Sequence, residues 1–148
     1  MMRWKHVTAA ALMALAGGCA TTAQRKDANW IDPGQAVLRA ADAPQAGITG
    51  VFALTVRATG RADKVYLNSE TDDRDPRNLT IALMPEAVAE LAQALGGAPE
   101  ELLRGKRILV SGTAMRTRID VTVDGRQSGK YYYQTHVRVA QASQIKVL

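Results

Sequence analysis

The stretch that decides the fold is residues 78–95, NLTIALMPEAVAELAQAL, in which the spacing of the apolar side chains changes. Leu79, Ile81 and Leu83 recur every second residue, which is typical of a half-buried strand. Pro85 then suits the first turn of a helix. The apolar residues that follow recur at spacings of three and four until a Gly-Gly pair ends the pattern. The stretch therefore predicts a strand followed directly by a helix.

Two further strands are predicted before this stretch. Residues 48–59 alternate apolar and polar side chains over a dozen positions, and residues 60–63 (GRAD) form a turn. Residues 64–69 then make a second short strand. The acidic stretch 70–77 (ETDDRDPR) contains a proline and is predicted to be a loop before the third strand.

The chain after the helix is also predicted to be extended. One more helical turn is expected at 99–103, followed by a fourth strand over 106–119. This strand bends at Gly112 and continues to a turn at Asp124-Gly125. Residues 131–140 alternate as a fifth strand, and a last extended piece closes the chain at 145–147.

Three strands, one helix and two strands follow the order β1-β2-β3-α-β4-β5 of the OB-fold, a five-stranded Greek-key barrel. The sequence therefore predicts an all-β OB barrel with one helix over residues 47–148. Residues 64–88, 105–115 and 136–148 resemble, in this order, small bacterial OB-fold domains of exported proteins and lipoproteins. The long stretch 116–133 departs from that pattern. The resemblance implies a fold and a location more than an activity.

The N-terminus predicts export and lipidation. Arg3 and Lys5 precede a short apolar run, and the sequence LAGGC at 15–19 brings small residues up to the only cysteine of the chain. This is the pattern of a secretory signal peptide over residues 1–18. Its end resembles the lipobox of bacterial lipoproteins, which implies that Cys19 is acylated and anchors the protein to a membrane. The alternative is an ordinary signal peptide cleaved near residues 22–23.

The resemblance also implies a location. Ala20, rather than aspartate, follows the cysteine, and in such lipoproteins this favours the outer membrane of the cell envelope, facing the periplasm. Residues 19–46 are rich in Ala, Thr, Gln and Asp and are predicted to form a lipidated N-terminus and flexible tether, with one or two helical turns after Pro33.

Charge is unevenly distributed along the chain. Residues 104–148 hold nine Lys and Arg against Asp120 and Asp124, a net charge of +7, whereas residues 19–103 hold eight basic and twelve acidic residues, a net of −4. A basic end of this kind suits an anionic partner, although it is also compatible with a solvated sheet face.

A ligand-binding region is predicted where basic and aromatic residues meet. OB-folds bind oligonucleotides or oligosaccharides across strands 2 and 3, between the loops that join strands 1–2 and 4–5. Alternation along the fifth strand places Tyr132 opposite Tyr131 and Tyr133, so the three rings cannot form one platform. The candidate residues are Lys64, Tyr66 and Asn68 of the second strand together with Arg116, Arg118, Arg126, Lys130 and Tyr132. The ligand classes left open are saccharide, peptide, lipid headgroup and nucleic acid, with nucleic acid disfavoured by export.

A cation site is the weaker candidate. Glu70, Asp72, Asp73 and Asp75 lie on one loop, and carboxylates are the ligands that calcium prefers. The spacing lacks the glycine and distal glutamate of an EF-hand loop. Arg74 and Arg77 lie among the acids and can neutralise them, so a solvated loop is the simpler interpretation.

No catalytic motif stands out. His136 is the only histidine after residue 18, and a lone histidine on a strand is more often structural than catalytic. The sequence predicts a non-enzymatic lipoprotein of the bacterial envelope that binds a protein, polyanion or saccharide and needs no cofactor. The alternatives are a calcium-dependent phosphodiesterase or nuclease acting through the acidic loop, and a purely structural role in envelope assembly.

Overall fold

The computed structural model describes residues 29–148, and most of them lie in one curled β-sheet. The predictions for the signal peptide and for Cys19 fall on residues 1–28, outside the described residues. The strands are β1 (Trp30–Ile31), β2 (Ile48–Thr55), β3 (Ala58–Arg61), β4 (Val65–Asn68), β5 (Leu79–Leu83), β6 (Arg107–Val123), β7 (Arg126–Val139) and β8 (Ile145–Val147). The helices are α1 (Pro33–Asp42), α2 (Pro85–Leu95), α3 (Pro99–Leu102) and a 3₁₀ turn at Ala142–Gln144.

The sheet curls because β2 and β3 are two parts of one bent strand. The strand order is β1-β2-β6-β7-β5-β4-β3, and β8 pairs with β6. Only Val56 and Arg57 separate β2 from β3. The Val56 amide donates to Lys106 O at 2.9 Å, whereas the Arg57 amide donates to Asn68 O at 2.9 Å. The chain therefore changes its hydrogen-bonding partner from the β6 side to the β4 side at this point. As a result β2, near one end of the strand order, continues directly into β3 at the other end.

The pairing is antiparallel except at two places. β5 pairs in parallel with β7, with Ile81 opposite Val137, and the two-residue β1 pairs in parallel with β2. The long ribbon of β6 and β7 is antiparallel and has an irregular register between Asp120 and Thr122. The ribbon extends past both neighbouring strands. β2 pairs only with Arg107–Ala114 of β6, and β5 pairs only with Thr135–Val139 of β7.

The core lies inside the curled sheet and beneath α2. Alternate residues of the strands point into it, as the sequence pattern predicts. Its fully buried side chains include Phe52, Val56, Val65, Leu67, Leu79, Ile81, Leu83, Ile108, Val110, Val137 and Val139. Helix α2 adds Ala87 and Leu91 to the same cluster.

Helix α2 has the bounds that the sequence predicts. Pro85 occupies its first turn, and Gly96 ends it in the left-handed conformation with φ of 80°. The Gly96 amide donates to Ala92 O at 2.9 Å, so the glycine satisfies a carbonyl that the helix leaves unpaired.

Helix α1 lies where the sequence predicts a tether with one or two helical turns. The Asp32 side chain accepts a hydrogen bond from the Gln35 amide at 3.0 Å, and Pro33 follows the cap. Ala36 and Ala40 are fully buried, because alanine lets the helix approach the sheet closely. Residues 30–42 are therefore packed against the curled sheet.

The predicted count of five strands and one helix is wrong, although a mostly β architecture is confirmed. The predicted first strand is divided at Val56–Arg57, and the short strands β1 and β8 add to the edges of the sheet. The predicted fifth strand starts at Arg126 rather than at residue 131, since the Asp124-Gly125 turn lets β7 pair with β6 almost from its first residue. None of the helices in residues 29–148 is long and apolar enough to cross a bilayer.

Candidate ligand-binding groove

Two adjoining cavities lie on the outer face of the sheet, where β4, β5, β6 and β7 run side by side. The first cavity measures about 280 Å³ and the second about 370 Å³, and both are lined by Tyr66 and His136. Together they form what we call the groove. The first is lined by Lys64, Tyr66, Ala82, Thr113, Met115, Thr117, His136 and Arg138, and the second includes Asn68, Asp73, Thr80, Ile119, Tyr132 and Gln134.

Strand alternation explains why these side chains face outward. Val65 and Leu67 of β4 point into the core, so Lys64, Tyr66 and Asn68 point the other way. The same alternation holds on β6 and β7, where Met115 follows the buried Ala114 and His136 precedes the buried Val137. The three residues predicted on the second strand therefore lie together in the groove.

Tyr66 is held in place by Asp63, which lies in the turn before β4. Its hydroxyl donates to Asp63 Oδ1 at 2.6 Å, and Lys64 Nζ donates to Asp63 Oδ2 at 2.5 Å. The hydrogen bonds from Lys64 and Tyr66 lower the pKa of Asp63 to about 2. Burial, followed by the hydrogen bond to Asp63, raises the pKa of Tyr66 to about 12. Asp63 is therefore ionised and Tyr66 protonated at neutral pH, so the ring has a fixed position.

His136 lies between the two cavities. Its Nε2 is 2.7 Å from Gln134 Oε1, and its ring centroid is 6.2 Å from that of Tyr66. Burial, and to a lesser extent the charge of Lys64, lowers the pKa of His136. The imidazole is therefore neutral at neutral pH. With the amide oxygen of Gln134 facing it, Nε2 carries the proton and Nδ1 is the acceptor.

A buried polar cluster forms the floor of the second cavity. Asn78 Nδ2 donates to Asn68 Oδ1 at 3.1 Å, and Thr80 Oγ1 donates to the same oxygen at 2.8 Å. Asn78 Oδ1 in turn accepts from the Glu70 amide at 3.0 Å. Each of these buried groups has a partner, which removes the penalty for burying it and fixes the shape of the floor.

The predicted residues of the later strands divide between two faces. The part of the β6–β7 ribbon that extends past the rest of the sheet, residues 116–133, is called the arm here. Tyr132 lines the groove, with Arg74 at 5.8 Å from its ring centroid. Arg116 and Arg118 lie on the opposite face of the arm, beside Tyr133 and Tyr131.

Arg126 and Lys130 lie apart both from the groove residues and from Arg116 and Arg118. Both side chains are exposed near the outer end of the arm, and Arg126 is paired with Val123 next to the turn. The structure therefore brings Lys64, Tyr66, Asn68 and Tyr132 together in the groove, whereas the four predicted cations of the arm lie outside it.

The acidic loop does not gather its carboxylates around one point. Glu70 pairs with Arg57 at 3.2 Å, and Asp75 pairs with Arg77 at 2.8 Å. Asp72 accepts a hydrogen bond from the Arg74 amide at 2.9 Å, within its own turn. The hydrogen bonds from Arg77 lower the pKa of Asp75 to about 2.

These pairs bear on the predicted cation site, which stays a prediction. Asp73 contributes mainly its backbone oxygen, which accepts from Gln134 Nε2 at 2.9 Å. Across residues 29–148, no three His, Cys, Asp or Glu side chains lie close enough to hold a metal ion. Glu70, Asp72, Asp73 and Asp75 are therefore engaged separately, each with a different partner inside or outside the loop.

Sequence reasoning missed half of the groove. Met115, Gln134 and Arg138 were not candidates, and His136 was expected to be structural. One signal was present for three of them, since Met115, His136 and Arg138 alternate with core residues on their strands. The parallel pairing of β5 with β7 was needed as well, because it places their outward side chains next to those of β4.

The comparisons with known proteins do not indicate a ligand for the groove. No protein-family model matches the chain, and no curated protein matches it. A solved structure from Leishmania major Friedlin, which carries the name of an aspartyl-tRNA synthetase, is similar at 10% identity with a TM-score of 0.43. The match covers 86% of this chain and 22% of that protein, so the chain spans about a fifth of its length. At this level of similarity the match carries no argument.

Proposed function

We propose that this chain is a non-enzymatic lipoprotein of the bacterial cell envelope, anchored through Cys19, whose domain binds a partner in the groove. The observation that carries the proposal is the groove itself. It combines two aromatic rings, Tyr66 and Tyr132, with amide and hydroxyl groups and with two cations at one end, Lys64 and Arg138.

The proposal includes an OB-type fold for the domain. If β2 and β3 are counted as one bent strand, the five main strands pair as in a Greek-key barrel, and α2 lies between the third and fourth of them. The groove then lies over β4 and β5, the second and third strands, where OB-folds bind their ligands. β1, β8 and α1 are additions to that plan.

The chemistry of the groove favours a saccharide that bears negative charge. Aromatic faces, amides and hydroxyls suit the ring faces and hydroxyl groups of a sugar. Arg138 is exposed, and its Nε donates only to Met84 Sδ, at 3.0 Å, among the described residues. Its guanidinium can therefore bind a carboxylate or phosphate, and guanidinium groups bind both in a bidentate manner.

The state of the titratable groups supports binding rather than catalysis. Tyr66 keeps its proton because its pKa is about 12, and Asp63 stays ionised because its pKa is about 2. His136 is bonded to an amide rather than to a nucleophile. These groups hold positions in the groove and are poorly suited to exchanging protons at neutral pH.

The test is a calorimetric titration of the full chain, purified in detergent from membranes, with tetragalacturonate as the probe. We expect binding that weakens with salt, because part of it is electrostatic. The neutral maltotetraose should bind at least fivefold more weakly. The double variant Lys64→Ala/Arg138→Ala should weaken tetragalacturonate binding at least fivefold.

The matched control is Arg116→Ala/Arg118→Ala, which also removes two positive charges but outside the groove. It should leave the affinity within twofold of the unsubstituted chain. Equal losses in both variants would contradict the groove as the binding site. Absence of binding to either saccharide would contradict a saccharide ligand, and crosslinking in the native membrane would then identify a protein partner.

A further inference from the structure

The arm has a second face that the groove does not use. Beyond Ala114 and Thr135 neither β2 nor β5 accompanies the ribbon, so both edges of the arm lack a neighbouring strand, and Arg116, Arg118, Tyr131 and Tyr133 are exposed on this second face. On the face away from the groove, the Arg116 guanidinium carbon lies 3.8 Å from the centroid of the Tyr133 ring. The corresponding distance from Arg118 to Tyr131 is 4.1 Å. The two rings are 5.7 Å apart and meet edge to face.

The stacked guanidinium groups of Arg116 and Arg118 place positive charge at the protein surface. Arg118 also donates to Asp120 at 2.9 Å, which neutralises it in part. The side chain of Arg116 is exposed and forms no hydrogen bond or ion pair with any residue of the described range 29–148. The rings remain about half exposed, at 52% for Tyr131 and 46% for Tyr133. The face therefore presents aromatic edges together with oriented guanidinium groups.

The same face lies beside helix α1. A cavity of about 180 Å³ separates the base of the arm from helix α1, with Arg116 and Tyr133 on one side and Val37 and Ala41 on the other. The helix is capped by Asp32, thirteen residues after Cys19. Thirteen residues span at most about 45 Å, so an anchor at Cys19 keeps this face within reach of the bilayer.

We infer that the Arg116, Arg118, Tyr131 and Tyr133 face of the arm docks on the anionic headgroups of the bilayer that holds the protein. The inference rests on the proposed lipid anchor. Arginines near a membrane are attracted to anionic lipids, and tyrosines are enriched at the headgroup level. A single-stranded nucleic acid is less suited to this face. It needs open ring faces for base stacking, whereas here the guanidinium groups cover one face of each ring.

The test places a fluorescent reporter at the end of the arm. Thr122 is exposed and lies two residues beyond Asp120. Thr122→Cys, in the full acylated chain, provides one free thiol for an environment-sensitive dye, because Cys19 is consumed by the lipid. The protein is inserted into vesicles of phosphatidylethanolamine with phosphatidylglycerol, and separately with phosphatidylcholine.

We expect a blue-shifted emission on the anionic vesicles only, which high salt reverses. Arg116→Ala/Arg118→Ala should reduce the shift at least threefold, whereas Lys64→Ala/Arg138→Ala should leave it unchanged. The same emission on both kinds of vesicle would overturn the inference, as would equal losses in both variants. A shift produced by an oligothymidylate, and not by anionic vesicles, would assign the face to nucleic acid instead.

Mass spectrometry of the N-terminal peptide separates the two proposals. A chain without acyl groups on Cys19 would contradict the lipoprotein proposal, and the docking inference would fail with it. An acylated chain whose arm stays in water on anionic vesicles would contradict the docking alone. Tetragalacturonate binding to the groove is measured independently of both.

Discussion

The inner half of the β6–β7 ribbon, where β2, β8 and β5 flank the two strands, differs from the outer half in everything that its side chains contact. In the inner half, Ile108, Val110, Val137 and Val139 are fully buried, and the sheet continues on both sides. In the outer half, the arm, Val123 is 57% exposed and no further strand flanks the ribbon. The comparison teaches that one pair of strands serves two purposes. Its base stabilises the fold, whereas the side chains of its arm are free to serve binding.

The largest effect should come from removing a core side chain of the inner half. Ile108→Ala deletes buried methyl groups and leaves a cavity, which should lower the free energy of unfolding by about 2–5 kcal/mol. Val123→Ala, in the arm, should change it by less than about 0.5 kcal/mol. Urea denaturation of both variants measures the difference. Equal losses would mean that the arm belongs to the cooperative core.

A smaller loss is expected from Gly47, which contacts the inner half of β6. Its φ is +68°, and a Cβ built there would lie 2.6 Å from Ala114 O. Gly47→Ala combines a conformation unfavourable to alanine with a backbone clash and should cost about 1–3 kcal/mol. Gly60→Ala is the matched control, since nothing lies within 4 Å of its Cβ position. A stable Gly47→Ala variant would show that the Gly47 turn can move away from β6.

The smallest effect should be a pH dependence of the folding stability, caused by His136. This residue lies where the groove meets the inner half of the ribbon. Its pKa is lowered in the folded state, so the unfolded chain takes up a proton more readily. The stability that this contributes is complete above the unfolded pKa of about 6.5 and is lost as the pH falls below it. Asp63 and Asp75 titrate near pH 2 and lie outside this window.

Thermal unfolding between pH 7 and pH 5 measures this dependence. The melting temperature should decrease with falling pH in the unsubstituted chain. The slope should flatten in His136→Gln, which keeps a polar side chain but cannot titrate. An identical slope in the variant would contradict the buried, neutral state assigned to His136.

The helices and strands were predictable wherever the local spacing of apolar residues determines them. Strand β5 and helix α2 follow from the change of repeat at Pro85, and β6 was expected to continue to the Asp124-Gly125 turn, as it does. Helix α1 was harder to predict. Its buried face consists of Ala36 and Ala40, which give a weak apolar signal, and only the Asp32-Pro33 cap marked its start.

The candidate site was predictable in part for the same reason. Alternation correctly separated Tyr132 from Tyr131 and Tyr133, and it selected Lys64, Tyr66 and Asn68 on one strand. It could not show that Arg116 and Arg118 lie on the other face from the groove, because that depends on the pairing of β6 with β7. The ion pairs of Glu70 and Asp75 likewise depend on side-chain positions that spacing does not fix.

The most direct test uses the tyrosines, since the four in the chain divide evenly between the two faces. The full chain is labelled with fluorotyrosine, and its ¹⁹F resonances are assigned by single Tyr→Phe variants. Tetragalacturonate should shift the resonances of Tyr66 and Tyr132 and leave those of Tyr131 and Tyr133 in place. Shifts confined to Tyr131 and Tyr133, or an equal shift of all four, would contradict the assignment of ligand binding to the groove.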